Sequence, residues 1–269
     1  MIRSNSLALL ILGTALATPL AAQSQDPPAP PDLGRFIPAD GSTEDGRRTL
    51  SAFPLNLGRG LLGVVSRDNL APLVIGAAAS GGFSFLDGQA RAALASPSSP
   101  FGRAGETGGS FQVVAPLAVG VFATGRLVGD SGFRAASYDI AEALILSEAY
   151  TEALKRTVLR TRPDGSDRFS FPSGHTSAAF AWATVADEHF GAKVGIPSYL
   201  LASALGASRI VKDKHYLSDV LAGATLGYIV GRTVVRENGE PVRRRTRFSL
   251  TPATDREGRG LGVGLSVDW

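Results

Sequence analysis

The chain of 269 residues contains no cysteine, which excludes disulfides, thiolate metal sites and cysteine nucleophiles together. Histidine is nearly as scarce. Only His175, His189 and His215 are present, so a histidine-rich metal site is not expected. Charge is close to balanced, with 27 Lys and Arg against 24 Asp and Glu, a net +3. There is no basic stripe interleaved with aromatics, so nucleic acid is not an expected partner. The small positive excess suits an anionic small molecule or a membrane surface. Long apolar runs are also missing. The uncharged runs 69–86, 111–125, 194–208 and 220–231 fall short of the roughly 20 residues of a spanning helix. The segment after them in helical character, 131–160, carries Arg134, Asp139, Glu142, Glu148 and Glu152, which lipid tolerates poorly. A soluble or surface-associated protein is therefore expected in preference to an integral one.

What is present divides the chain. Arg3, an apolar stretch from Leu7 to Leu20 and the small residues Ala21 and Ala22 have the order of a secretory signal over 1–22. Export to the periplasm or the outer face of the cytoplasmic membrane follows. Residues 23–47 hold five prolines among polar residues and read as a flexible linker. From 48 to 237 the pattern is helical. Helices are expected over 69–86, over 111–125 with Ser110 as cap, to about Arg160 with Ser131 as cap, and over 174–190, 194–207 and 216–235. The Ser-, Pro- and Gly-rich stretch 95–109 is expected to be a long loop. The residues 238–269 combine a basic linker, Arg243 to Arg247, with an alternation of Leu261, Val263, Leu265, Val267 and Trp269 that predicts a short β-hairpin. The fold class expected is all-α, a helical bundle with that hairpin appended.

Three clusters carry chemistry. Lys155 and Arg162 are seven residues apart, two turns of a helix, so they are expected on one face, with Pro163 ending the helix. Two cations on a packed face call for an anion, which Arg holds by a fork and Lys by a point charge; a solvated basic face, with Arg156 and Arg160, is the alternative. Phe171-Pro-Ser-Gly-His175 opens a helix. Ser173 is a natural cap, Gly174 admits close approach, and free N–H groups cradle phosphate; a capped turn is the alternative. His175 in that first turn can pass a proton to a leaving oxygen. Last come Ser208-Arg209, His215 and Asp219. His215 and Asp219 stand four apart, which on a helix lets the carboxylate hold one imidazole nitrogen and leave the other as base or nucleophile; a surface His–Asp pair is the alternative. His189, beside Asp187 and Glu188, is expected at the surface.

Together these clusters resemble the signature of the type 2 phosphatidic acid phosphatase superfamily, which also contains bacterial acid phosphatases and vanadium haloperoxidases. Lys155, Arg162, Pro163, Pro172, Ser173, Gly174, His175, Ser208, Arg209, His215 and Asp219 fill the signature positions. The resemblance implies that His215 is the nucleophile, transiently phosphorylated, that Asp219 orients it, and that His175 protonates the leaving group and then activates water. Lys155, Arg162, Ser173, Gly174 and Arg209 would bind the phosphate. No metal and no cofactor is implied, vanadate serving only as a phosphate mimic. The expected substrate is a phosphorylated lipid, phosphatidate or a polyprenyl diphosphate. A soluble phosphate ester, vanadate-dependent halide oxidation, and lipid binding without turnover are the alternatives. Oligomeric state is not legible.

Overall fold

A computed structural model describes residues 47–127, 130–239, 247–254 and 261–268. The signal at 1–22, nearly all of the linker at 23–47 and most of the basic segment lie outside these residues. Residues 47–239 fold as nine helices: α1 (Phe53–Val64), α2 (Leu70–Phe83), α3 (Asp87–Leu94), α4 (Pro100–Gly108), α5 (Phe111–Leu127), α6 (Ser131–Val158), α7 (Gly174–Phe190), α8 (Ala192–Val211) and α9 (Leu217–Glu237). The all-α expectation therefore holds for this region. Arg247–Thr254 and Leu261–Asp268 run as two strands paired antiparallel, Leu250 opposite Leu265, and form a unit apart from the helices. The residues that would join them lie outside the described set, so the hairpin stays an expectation of the sequence.

The core is built where α6, α7 and α9 meet, from Ile140, Ala143, Leu146, Ala181, Val185, Ile229 and Val230 among others. Small residues set the spacing. Gly223, Gly227 and Gly231 recur every fourth residue on α9 and lie against α7. A Cβ at Gly227 would stand 2.2 Å from the Ser177 carbonyl oxygen, so α7 and α9 touch backbone to backbone only because that carbon is missing.

Local expectations needed four corrections. Asp130, not Ser131, caps α6, its carboxylate accepting the Phe133 N–H at 2.6 Å. Ser110 does not cap α5; its hydroxyl turns back to the Thr107 carbonyl. The 95–109 stretch is only partly loop, since Pro100 at the first position starts α4 despite the glycines. His189 is not at the surface. Its Nε2 lies 2.7 Å from Asp139 Oδ2 and its side chain is 2% exposed. Asp139 also takes two hydrogen bonds from Arg48, at 2.9 and 2.8 Å, and one from Asn238, which donates as well to Glu142. Asp139 and Glu142, two of the acidic residues of α6 that seemed hostile to lipid, thus face inward here in a polar cluster, while Glu148 stays exposed.

That inward pairing and one further observation favour an integral protein over the soluble one expected. Two helical stretches, Arg67–Leu94 and Ala192–Val211, are long and apolar enough to cross a membrane, and α4 with α5, bent by 47°, would make a third. The first looked short because Asp87 and Arg91 interrupt it in sequence. Asp87, however, is buried and paired with Arg160. Ile75, Phe85, Leu200 and Leu201 are 66–76% exposed, an apolar surface that water-soluble proteins rarely leave open.

Candidate active site

The site forms where the C-terminal end of α6, the start of α7 and the turn before α9 converge. Helix α6 stops at Val158 because Leu159 turns left-handed at φ 51° and closes on the Lys155 carbonyl. Pro163 lies beyond that end, and Arg162 reaches the centre from a loop instead of from the face it was expected to share with Lys155. Asp167 holds Arg162 Nε at 2.7 Å. The free arm, Nη1, points to the Lys214 carbonyl and to His215 Nε2, each at 3.2 Å. Lys155 is bound to Glu152 at 2.9 Å and stands beside the start of α7, its Nζ 3.5 Å from where a Gly174 Cβ would be.

Ser173 does not cap α7 with its side chain; its hydroxyl accepts from Thr176 instead, and its N–H donates to the Asp219 carbonyl at 3.0 Å. The first-turn N–H groups of α7 thereby stay available to an anion. Arg209, at the end of α8, is 4% exposed. Its Nε and Nη1 are buried with no hydrogen-bond partner among the described residues.

His215 sits one residue before the cap of α9, not on the helix. Its Nδ1 is 2.7 Å from the Ser170 carbonyl oxygen. A carbonyl only accepts, so Nδ1 carries the proton and the Nε2 lone pair faces Arg162. Asp219 Oδ2 is 3.8 Å from Nδ1, beyond hydrogen-bond reach. The i,i+4 expectation assumed helix at His215, and the helix begins too late for it. Asp219 instead accepts from Ser170 Oγ at 2.5 Å, the Tyr216 N–H at 2.9 Å and Arg160 at 2.6 Å. It acts on His215 through Ser170. The turn before His215 is pinned on three sides: Lys212 to Glu106, Asp213 to Arg91, and Lys214 to Asp164.

Burial lowers the pKa of both site histidines. For His175, burial acts first and the Arg209 charge second, bringing it down to about 4. For His215, burial outweighs the opposing pull of Asp219, with Arg162 and Arg209 adding to the fall. His175 is therefore neutral near pH 7, and Arg209, His215 and Lys155 lie close enough to act on it.

A cavity of about 890 Å³ opens from His175, Gly174 and Lys155 and runs between α5 and α6 to Phe53 and Phe122. Its walls are apolar except at the end nearest His175, where Glu148 and Glu152 join Lys155. Along α6 it extends from Lys155 to Ala141, about 21 Å at the helical rise.

The chosen residues His175, Ser173, Gly174, Lys155, Arg162, Arg209, His215 and Asp219 thus surround one centre, with Asp219 in its second layer. Sequence reasoning missed Arg160, Asp87, Ser170 and Asp167, which hold these groups in place. Arg160 carried no signal separating it from its neighbour Arg156, and Asp87 lies far away in the chain.

Residues 137–240 match the PAP2 superfamily. A lipid A 1-phosphatase of Porphyromonas gingivalis is 47% identical over 75 residues, 27% of this chain and 17% of that protein. A decaprenylphosphoryl-5-phosphoribose phosphatase of Mycobacterium tuberculosis is 33% identical over 112 residues, 38% of this chain and 61% of the relative. The chain therefore spans less than two thirds of the length of either. Among solved structures, a transmembrane PAP2 type phosphatidylglycerolphosphate phosphatase of Bacillus subtilis superposes with a TM-score of 0.55 at 20% identity, over 65% of this chain and 98% of that one. At that identity the likeness speaks for the fold alone.

Proposed function

We propose that this chain, whose residues 137–240 match the PAP2 superfamily, is a phosphatase acting on the phosphate of a membrane lipid through a phosphohistidine on His215. The observation that carries the reading is Arg209. A guanidinium buried to 4% exposure with two nitrogens unpartnered costs several kcal/mol unless an anion completes it. Its charge acts on both His175 and His215, and a phosphoryl group between them supports the reading by supplying the anion.

The chemistry follows from the geometry. Arg209, Arg162, Lys155 and the first N–H groups of α7 hold the non-bridging oxygens, where charge is concentrated in the transition state. His215 Nε2 attacks phosphorus in line with the bond to the leaving oxygen. That P–O bond breaks as the N–P bond forms, and His175 gives its proton to the departing oxygen. A dianionic phosphate beside His175 opposes the effects that depress its pKa, so substrate binding itself loads the acid. Water then attacks phosphorus, His175 takes the proton from it, and the N–P bond breaks to restore His215. Three cations supply the charge neutralisation, and no step is assigned to a metal; among the described residues no group of His, Asp and Glu has the arrangement of a metal site.

A lipid substrate is favoured by the apolar cavity that starts at His175, by the helices apolar enough to span a membrane, and by relatives named for lipid A and decaprenylphosphoryl phosphates. In this reading the signal-like residues 1–22 direct the site to the outer side of the cytoplasmic membrane. The test is phosphate release by the purified protein in detergent with EDTA, from phosphatidate, a polyprenyl diphosphate and a soluble aryl phosphate, beside His215→Ala. Release that survives EDTA, prefers a lipid and vanishes in the variant is expected. Equal release by the variant refutes the nucleophile, and preference for the aryl phosphate refutes the lipid.

A further inference from the structure

We propose that Arg160 and Asp87 are positioning residues which fix the direction and tautomer of the His215 imidazole, acting through Asp219 and Ser170. The proposal rests on the phosphatase reading for its kinetic consequence, though not for its geometry.

Arg160 grips the structure behind His215 twice. Its side chain donates from Nη1 to Asp219 Oδ1 at 2.6 Å and to Ser218 Oγ at 2.7 Å, and from Nη2 to Asp87 Oδ2 at 2.7 Å. Its own carbonyl accepts the Ser170 N–H at 3.0 Å. Ser170 in turn donates its hydroxyl to Asp219 and offers its carbonyl to His215 Nδ1. One residue therefore holds both the peptide unit that reads the imidazole proton and the carboxylate that braces that peptide. The guanidinium also lies over the Tyr216 ring, 4.2 Å from its centroid, which stops it from swinging out.

Asp87 closes the arrangement from another element. Its Oδ1 accepts the Ser218 N–H at 2.9 Å and its Oδ2 the Ser218 hydroxyl at 2.6 Å, so a carboxylate from the start of α3 satisfies a first-turn N–H of α9. Two buried carboxylates, Asp87 at 5% and Asp219 at 0% exposure, share this single cation. A planar fork reaches both at once; an ammonium does not. Arg156, four residues earlier, is 77% exposed on its side chain and among the described residues pairs with Glu152 alone, so the bridge belongs to Arg160 and not to basic character in this stretch. Asp87 also lies within Arg67–Leu94, a stretch able to cross a membrane. The nucleophile is thereby braced against that helix, not only against its own loop.

The experiment uses the full chain in detergent, with Arg160→Gln, Arg160→Lys and Asp87→Asn. Two readouts are taken: kcat and KM for phosphate release, and the imidazole ¹⁵N resonances, which only three histidines share. Arg160→Gln is expected to lower kcat about 10- to 100-fold at a KM within about twofold and to take His215 out of its single Nδ1–H tautomer. Arg160→Lys keeps the charge and is expected to remain at least about tenfold down. Asp87→Asn is expected to show the same pattern, more weakly, and carries the test if the Gln variant does not fold. A kcat within twofold of wild type, a change in KM alone, or an unaltered His215 tautomer in the folded variants overturns the proposal. If the wild-type protein releases no phosphate, the functional reading fails by itself, and the resonances still decide the positioning role.

Discussion

Gly223→Ala is a one-carbon change that separates catalytic geometry from stability. The added Cβ would lie 2.5 Å from the Ser173 carbonyl oxygen and 3.3 Å from Thr176 Cβ. Ordinary contact begins near 3.4 Å, so the start of α7 has to retreat by about 0.9 Å. That segment is backbone, and it carries Ser173, the N–H cradle and His175 together. Overpacking of this kind costs about 1–3 kcal/mol, and alanine returns up to ~1 kcal/mol of helix propensity. The net loss is about 0–2 kcal/mol, a fall in Tm of a few degrees for a domain of this size. Catalysis responds more steeply, because a misplacement near 1 Å costs about 100-fold. Thermal unfolding in detergent and the initial rate of phosphate release check both numbers. Gly82→Ala, inside α2 where the new carbon meets nothing within 4 Å, is the control: it should leave the rate unchanged and raise Tm only by what helix propensity returns. A Gly223→Ala protein that keeps kcat within twofold refutes the argument that α7 is held in register by this contact.

Arg209→Gln should lower kcat/KM by about 10²–10³ without lowering Tm, since it relieves a buried unpaired cation; the rise in Tm that inorganic phosphate or vanadate gives the wild-type protein should disappear with it. For His175 the sign is fixed by its folded pKa of about 4, below the ordinary 6.5. The unfolded chain binds more protons between those values, so stability falls as pH drops from 6.5 to 4, by up to about 3 kcal/mol. His175→Gln should flatten that part of a Tm–pH curve, and an identical slope in the variant contradicts the assignment. Glu148 lines the cavity near Gly174 with no partner among the described residues. Its charge opposes a second phosphate by about 1 kcal/mol, so Glu148→Gln should raise the rate on a diphosphate relative to a monophosphate about fivefold, measured on paired substrates.

The residues proposed to meet the phosphate were legible because they lie within 155–219 and because each has a chemistry few other types supply: two scarce histidines, forked cations, a glycine at a helix start. Their arrangement was less legible. Spacing rules presume a continuous helix, and the chain has already left helix at Leu159 before Arg162, while α9 begins at Leu217, after His215. The rules therefore put Arg162 on the wrong element and Asp219 on the wrong side of Ser170. What sequence cannot distinguish is polarity that is solvated from polarity that is shared. Arg160 and Arg156 look alike until Asp87 arrives from 73 residues away, and His189 looks exposed until Asp139 closes on it across 50. The membrane question turned on the same point. Asp139 and Glu142 read as obstacles to lipid, whereas each is turned inward to a partner.

The long apolar cavity bears on the end of the catalytic cycle. On the proposed lipid phosphatase reading, its walls would grip the chain that carries the phosphate equally before and after the ester is cleaved. Such uniform affinity lowers KM without lifting turnover. Inorganic phosphate would lose its tether at once, while the dephosphorylated lipid alcohol would still fill about 21 Å of groove. Slow departure of that alcohol would then set the pace, visible as a pre-steady-state burst that fades when the substrate's tail is shortened.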